Sequence, residues 1–292
     1  AGEEGFRMRD EDCVGLLQWA LPRLGLSWPG FRRVRRQVCR RLERRLRELG
    51  LEGAAAYRAY LEEHPEEWQR LDTLCRVTVS RFFRDRGVFE ALGEVVLPAL
   101  AAQASSRGLL RAWSAGCASG EEPYTLAALW EHAVRPVFPH VELRILATDA
   151  DEAMLRRAGR AVFGASSVRE VPTEWRRRVF TRRGERYHVR PRLRELVSFA
   201  AHDVRDPPPS GPFDLALCRN LAFTYFDEAH RLQVAGHLAR ALRPGGALVV
   251  GAHESLPEGA AGFVPWLEAL GVYRRETPRE AGATLEPRRP RS

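Results

Sequence analysis

Lysine is missing from this sequence: all 46 basic residues among the 292 are arginine, and Asn220 is the only asparagine. Such a skew reads as genome composition as much as selection, so the formal net charge of +8 is weak ground for a nucleic-acid partner. Positive charge favours acidic partners in general, but no recognisable nucleic-acid module and no interleaved aromatic–basic stripe accompanies it. Apolar runs are short. None approaches the roughly 20 residues needed to span a bilayer. Glu3, Glu4, Arg7, Arg9 and Asp10 crowd the start, where a secretory signal would carry apolar residues. The expectation is a cytoplasmic protein without membrane insertion. Cysteine is sparse: Cys13, Cys39, Cys75, Cys117 and Cys218 are odd in number and contain no C-x-x-C pair. That argues against a disulfide framework or a zinc site and predicts buried free thiols and no bound metal.

Hydrophobic residues make up 45% and charged residues 29%, ordinary proportions for one large globular domain or two modest ones. Residues 1–10 and the Pro/Arg-rich 277–292 read as frayed or disordered ends. Residues 11–84 read as a helical domain. Phe31, Val34, Val38, Leu42, Leu46 and Leu49 form a stripe spaced by three and four, with Gly50 as its stop. Its other face carries Arg32, Arg33, Arg35, Arg36, Arg40, Arg41, Arg44, Arg45 and Arg47, by default a solvated face. Shorter helices are expected over 54–63 and 66–77.

Residues 85–276 change pattern. Strand-length apolar runs at 109–114, 141–148, 197–201, 213–218 and 247–251 alternate with helical segments at 123–134, 151–161 and 228–242. This predicts an α/β domain with a mostly parallel, doubly wound sheet, whose ligand crevice lies at the carboxyl ends of the strands. The segment 176–194 breaks the alternation and reads as a small inserted hairpin or a basic loop.

The first strand runs through Ala115-Gly116-Cys117-Ala118-Ser119-Gly120 into a helix opening Glu121-Glu122-Pro123. Glycines at a strand-to-helix turn let backbone approach a ligand closely, and the helix start offers unpaired N–H groups. Pro123 and the acidic pair suit a first turn. No Gly-Lys-Ser/Thr follows, which excludes a phosphate loop, and the G-x-G-x-x-G of dinucleotide folds is absent. Asp149, at the tip of the second strand, stands where such folds hydrogen-bond ribose hydroxyls, while Asp151 is the better helix cap. Asp203 ends the third strand; Arg219-Asn220 ends the fourth, across the crevice from the glycine loop. A buried Arg219 without a partner is costly, so a carboxylate of the substrate or of a neighbour should meet it. Upstream, Phe82 and Phe83 read as core aromatics. Thr78, Ser80 and Arg84 form a candidate polar cluster, with Arg84 four residues after Ser80 on a helical turn.

In order and combination these motifs resemble the CheR-type chemotaxis-receptor methyltransferases. The matching stretches are Ser80-Arg-Phe-Phe-Arg-Asp85, Trp113-Ser-Ala-Gly-Cys-Ala-Ser-Gly-Glu-Glu-Pro-Tyr124, Ala147-Thr-Asp149, Gly211-Pro-Phe-Asp214, Cys218-Arg-Asn220, Tyr225-Phe226-Asp227, Pro244-Gly-Gly and Gly251-Ala-His-Glu-Ser255. The resemblance implies a small all-α domain followed by a Rossmann-like class I methyltransferase domain. It implies S-adenosylmethionine as cofactor, S-adenosylhomocysteine as product, and glutamate side chains of a chemoreceptor's cytoplasmic helix bundle as an acidic protein substrate. On this likeness Thr78, Ser80, Arg84, Ala115, Gly116, Glu121, Asp149, Asp203, Val204, Arg219 and Asn220 line the cofactor, and Arg219, Tyr225 and Arg84 serve catalysis. Asp203 departs from the family's asparagine. Leu221-Ala-Phe-Thr-Tyr225 is one residue longer than the family's stretch, which makes Thr224 an alternative to Tyr225, and 176–194 is shorter than the β-subdomain of members that grip a receptor peptide. These departures keep open a small-molecule or non-receptor protein acceptor, and a non-catalytic module that senses the cofactor. Arg219 is expected to orient the acceptor carboxylate bidentately.

Overall fold

A computed structural model describes residues 8–277. Val38, Leu42 and Leu46 fall on one buried face of a helix running Arg35–Leu49, and Gly50 ends it in the left-handed conformation (φ +68°). The stripe is not one helix from Phe31, as its spacing suggested. Trp28–Phe31 is a separate short turn, and Val34 sits at φ −106° and ψ −2°, which interrupts the helical path before Arg35. The arginine face is only partly solvated. Arg32, Arg33, Arg36, Arg40, Arg44 and Arg47 are exposed, but Arg41 donates to the carbonyls of Leu74 and Arg76. Arg45 forms a two-pronged pair with Glu67 at 2.9 and 2.7 Å.

The start of the chain and two of its cysteines differ from expectation. Asp10 already opens a helix, Asp10–Ala20, and Met8 is buried; residues 1–7 of the expected frayed start, and 278–292 of the expected tail, lie outside the described residues. Cys13 and Cys39 form a disulfide, with Cα atoms 6.0 Å apart, rather than standing as free thiols. They are 26 residues apart, so no short spacing marks them; two packed helices bring them together. Cys75, Cys117 and Cys218 are free and buried, as expected.

The chain divides into two compact units: residues 8–78 with Thr224–Arg231, and 79–223 with 232–277. The break therefore falls at Thr78/Val79 rather than after Arg84, and a short segment from late in the chain joins the helical unit. Within that unit the backbone of 224–231 is held locally: Ser27 N–H donates to the Tyr225 carbonyl and Asp227 N–H to that of Gly25.

The second unit is built on two sheets. Its strands are β1 (Leu109–Ala115), β2 (Glu142–Asp149), β3 (Val162–Phe163), β4 (Phe180–Arg183), β5 (Arg186–Val189), β6 (Val197–Ala201), β7 (Phe213–Leu217), β8 (Leu242–Val249), β9 (Phe263–Leu267) and β10 (Val272–Arg275). The main sheet has the order β6-β2-β1-β7-β8-β10-β9. Its first five strands are parallel, and β10 and β9 close it antiparallel. The chain runs outward from β1 through β2 to β6, then returns to lay β7 on the other side of β1. The switch point between β1 and β7 is where a doubly wound fold opens its crevice. Every residue of β7 is buried, as a central parallel strand covered on both faces requires.

Of the two readings of 176–194 the hairpin is the one formed: β4 and β5 pair antiparallel across Gly184 (φ +58°). Three features were not anticipated. β3 adds a third strand to that hairpin. One continuous helix, Arg86–Ala104, is by length and composition apolar enough to cross a membrane, contrary to the expected lack of such a run. It buries Val88, Phe89, Leu92, Val96, Leu97, Leu100, Ala101 and Ala104 in the core of this unit. The β9–β10 hairpin escaped because Pro265 interrupts its first strand, which an edge position tolerates.

In the helical unit Glu67 is 4% exposed and also accepts the Tyr57 hydroxyl at 2.8 Å. Burial alone pushes its carboxyl up, but the Arg45 fork and the Tyr57 hydroxyl outweigh burial and hold it below the ordinary glutamate value. A lowered folded value means the stabilisation is present above the unfolded value of about 4.3 and disappears as pH falls through the folded one. Glu67→Ala should lower stability by about 3 kcal/mol at neutral pH, measured by denaturant melts. The difference from the parent should shrink on acidification; a constant difference down to the acid limit would refute the assignment.

Candidate active site at the β1/β7 switch point

The loop after β1 folds against the tip of β2. Gly116 and Cys117 N–H groups both donate to the Thr148 carbonyl, at 2.8 and 2.9 Å. Gly116, Ala118 and Gly120 all have positive φ (78°, 46° and 93°), so three of five consecutive residues turn in a way L side chains resist. Space enforces glycine as well. A Cβ on Gly120 would stand 2.9 Å from Ala158 Cβ, and one on Gly116 would stand 2.3 Å from Leu221 Cδ2.

Asp149 holds this loop. Its Oδ2 accepts Ala118 N–H at 2.8 Å and its Oδ1 accepts Asp151 N–H at 2.8 Å, while Asp151 caps the following helix through Ala153 and Met154. The backbone amides thus orient the Asp149 carboxylate at the tip of β2.

The two glutamates opening the helix Glu121–Leu129 face different partners. Glu121 is buried on two hydroxyls, Ser119 at 2.8 Å and Ser167 at 3.1 Å. Glu122 accepts the Ser114 hydroxyl at 2.8 Å and Arg219 Nη1 at 3.3 Å. Burial pushes the Glu122 carboxyl up, and Arg219 offsets only part of that rise.

Arg219 departs from the expected substrate clamp. Its side chain is 2% exposed. Nη2 donates to Asp85 Oδ2 at 2.8 Å and to the Arg84 carbonyl at 3.0 Å, Nη1 reaches Glu122, and the guanidinium lies 4.9 Å over the Phe89 ring. Its Nε is buried without a hydrogen-bond partner among the described residues. Of the two carboxylate sources the sequence left open, the neighbouring side chains occupy it.

Asn220 follows at φ +54°, and Glu254 fixes that turn by accepting both Asn220 N–H and Gly251 N–H, at 2.8 and 2.6 Å. At the end of β6, Asp203 is paired with Arg205 at 2.7 Å, and Val204 is buried. Cys117 and Cys218 flank the switch point, and burial pushes both thiols far up. Neither is a thiolate at neutral pH.

The segment carrying Ser80 and Arg84 is not helical, so those residues are not stacked by a helical turn as expected. Ser80, Arg84, Ala115, Gly116, Glu121, Asp149, Asp203, Val204, Arg219 and Asn220 all belong to the sheet unit, whereas Thr78 and Tyr225 belong to the helical one. There the Tyr225 ring packs 5.1 Å from Phe31. Phe82 and Phe83 are buried, as expected; Phe82 meets Phe163 and Phe180 edge-on at 4.8 Å. Sequence reasoning gave no side-chain role in the site to Asp85, Glu122, Ser114, Ser167 or Glu254. The first three form one network with Arg219, and their only signal was their place inside motifs quoted for other residues.

Residues 78–266 match the family model described as the CheR methyltransferase SAM binding domain, and residues 34–71 match the CheR methyltransferase all-alpha domain. A chemotaxis protein methyltransferase of Listeria monocytogenes is 38% identical over 63% of this chain and 68% of its own length. A probable chemotaxis protein methyltransferase of Rhizobium etli is 32% identical over 82% of this chain and 91% of its own length. An uncharacterized 104.1 kDa protein of Rhodobacter capsulatus is 34% identical over 87% of this chain, which spans only 27% of that protein's length.

Asp149 supplies charged acceptors, each worth about 1.5–3 kcal/mol. Asp149→Ala should therefore weaken S-adenosylmethionine binding by at least about ten-fold in calorimetry; unchanged affinity would remove Asp149 from the cofactor site. Gly120→Ala forces both a strained φ and a clash with Ala158, and should lower the melting temperature as well as the affinity. A fully stable, tightly binding variant would contradict the close approach.

Proposed function

The chain belongs to the CheR methyltransferase family, and from that premise we propose that it methylates side-chain carboxylates, specifically glutamates on the acidic helix bundle of a chemoreceptor's cytoplasmic region. Membership in this family makes S-adenosylmethionine its cofactor. The residues present suit that molecule: a glycine-bearing turn able to lie close to a ligand, and the Asp149 carboxylate fixed at the tip of β2, where such folds meet ribose hydroxyls. When bound, the cofactor supplies a methyl group on a positively charged sulfur.

The observation that carries the reading is the set of groups at the switch point: two arginines, several carboxylates and hydroxyls, and thiols held neutral by burial. A glutamate acceptor is ionised at neutral pH, so its own oxygen lone pair forms the new bond and no proton has to be removed. The chain's task is then alignment at attack distance and exclusion of water from the nucleophile. In this proposal Asp149 and the 116–120 turn hold the nucleoside end. Ala115 and Glu121 lie along the amino-acid end, and Asp203 and Val204 lie beside the base. Arg84 meets the cofactor at the end that carries the transferred methyl group.

A second reading, a small-molecule or non-receptor protein acceptor, is favoured by the extra residue in 221–225 and by the four-residue strands of the hairpin. Labelled S-adenosylmethionine incubated with chemoreceptor cytoplasmic fragments should give base-labile methyl esters on glutamate. Label on a small acid or thiol, with the fragments untouched, would replace the receptor by the second reading. Tight binding without turnover on any acceptor would point instead to a cofactor-sensing module.

A further inference from the structure

Phe83 and Asp85 are non-glycine residues in the left-handed region (φ 57° and 60°), a conformation that persists only where its surroundings over-determine it. The contacts that do so are specific. Phe83 N–H donates to Thr125 Oγ1 at 3.3 Å. Arg219 Nη2 takes both the Arg84 carbonyl and the Asp85 carboxylate. The other terminal nitrogen of Arg219 is tied to Glu122, which the Ser114 hydroxyl fixes in turn.

Arg84 lies between the two strained residues. Its guanidinium is half-exposed, donates to the Val79 carbonyl at 3.0 Å, and helps to keep the Glu122 carboxyl from rising further. Arg219, by contrast, is almost wholly buried, with both terminal nitrogens engaged.

We infer that Asp85, Arg219 and Glu122 are positioning residues, a buried relay that holds the 83–85 turn in its left-handed form and so aims Arg84 at the ligand. Arg219 acts through Arg84 and not by gripping the acceptor carboxylate. The inference rests on the proposed cofactor reading, because Arg84's ligand is taken to be the cofactor. An elementary consequence separates relay from clamp: loosening the internal acids disables a relay, whereas it would release a clamp to work.

A double-mutant cycle on S-adenosylhomocysteine binding, measured by calorimetry with the full chain, tests this. Asp85→Asn keeps the shape and removes the charge that anchors Arg219. It should weaken binding on the order of ten-fold, the cost of misplacing a binding group by a fraction of an ångström. Arg84→Ala should lose a similar factor, and the two together should lose no more than Arg84→Ala alone. Wild-type affinity in Asp85→Asn, or losses that multiply in the double variant, would overturn the relay. Failure of the parent chain to bind S-adenosylhomocysteine is a different outcome, which overturns the cofactor reading and the relay with it. If Asp85→Asn does not fold by melting analysis, Glu122→Gln cuts the other arm and enters the same cycle with the same expectation.

Discussion

A guanidinium sealed from water between Asp85 and Glu122 constrains everything around the crevice. Removing a charged group from water costs several kcal/mol even after relaxation, so Arg219 is tolerated only because two carboxylates and the Arg84 carbonyl receive it. Those partners come from two places, the turn before the helix Arg86–Ala104 and the helix that follows the glycine loop, and Arg219 brings both to the tip of β7. Sheet hydrogen bonds fix β1 against β7, but they end where the strands end. Beyond that point Arg219 does the joining, and Glu254 does the same one residue later by gathering the amides of Asn220 and Gly251.

The nucleoside side is organised by a different device. Thr148 and Asp149, at the tip of β2, receive three consecutive amides of the glycine loop through one carbonyl and one carboxylate oxygen. The loop's shape is therefore set by the neighbouring strand before any ligand arrives. Such preorganisation spares a ligand the ordering entropy it would otherwise meet on binding. Close packing explains glycine at 116 and 120: even a methyl group there would have to displace Leu221 or Ala158.

Much of this was legible in the sequence, and the boundary of legibility has physical causes. The loop, Asp149 and the capping role of Asp151 follow from local chemistry, since glycines, a strand tip and a helix start are neighbours in sequence. Five strands of the parallel sheet announced themselves as apolar runs. Contacts across long separations did not. Asp85 meets Arg219 over 134 residues and Glu122 meets it over 97, so the need for a carboxylate was readable while its identity was not. Glu122 read as a helix-dipole residue, which is true of its backbone position but says nothing of its side chain. The Cys13–Cys39 pair was hidden for the same reason, and the helix Arg86–Ala104 was masked by Glu90 and Glu94, which break the apolar run in the sequence from the exposed side of the helix.

The charge balance of the site bears on the chemistry proposed for it. Asp85, Glu122, Arg84 and Arg219 together sum to zero, so the network itself neither attracts nor repels an incoming anion. Transfer of a methyl group from a sulfonium to a carboxylate joins two opposite charges into neutral products. Water opposes such a step by solvating the separated ions, and a drier environment favours it. A site that balanced its own charges internally, and kept its thiols protonated, would leave the sulfonium and the carboxylate as each other's strongest uncompensated partners. That arrangement asks little of any base and much of alignment. The acceptor is then selected by what brings a carboxylate to the crevice, and not by the groups that hold the cofactor.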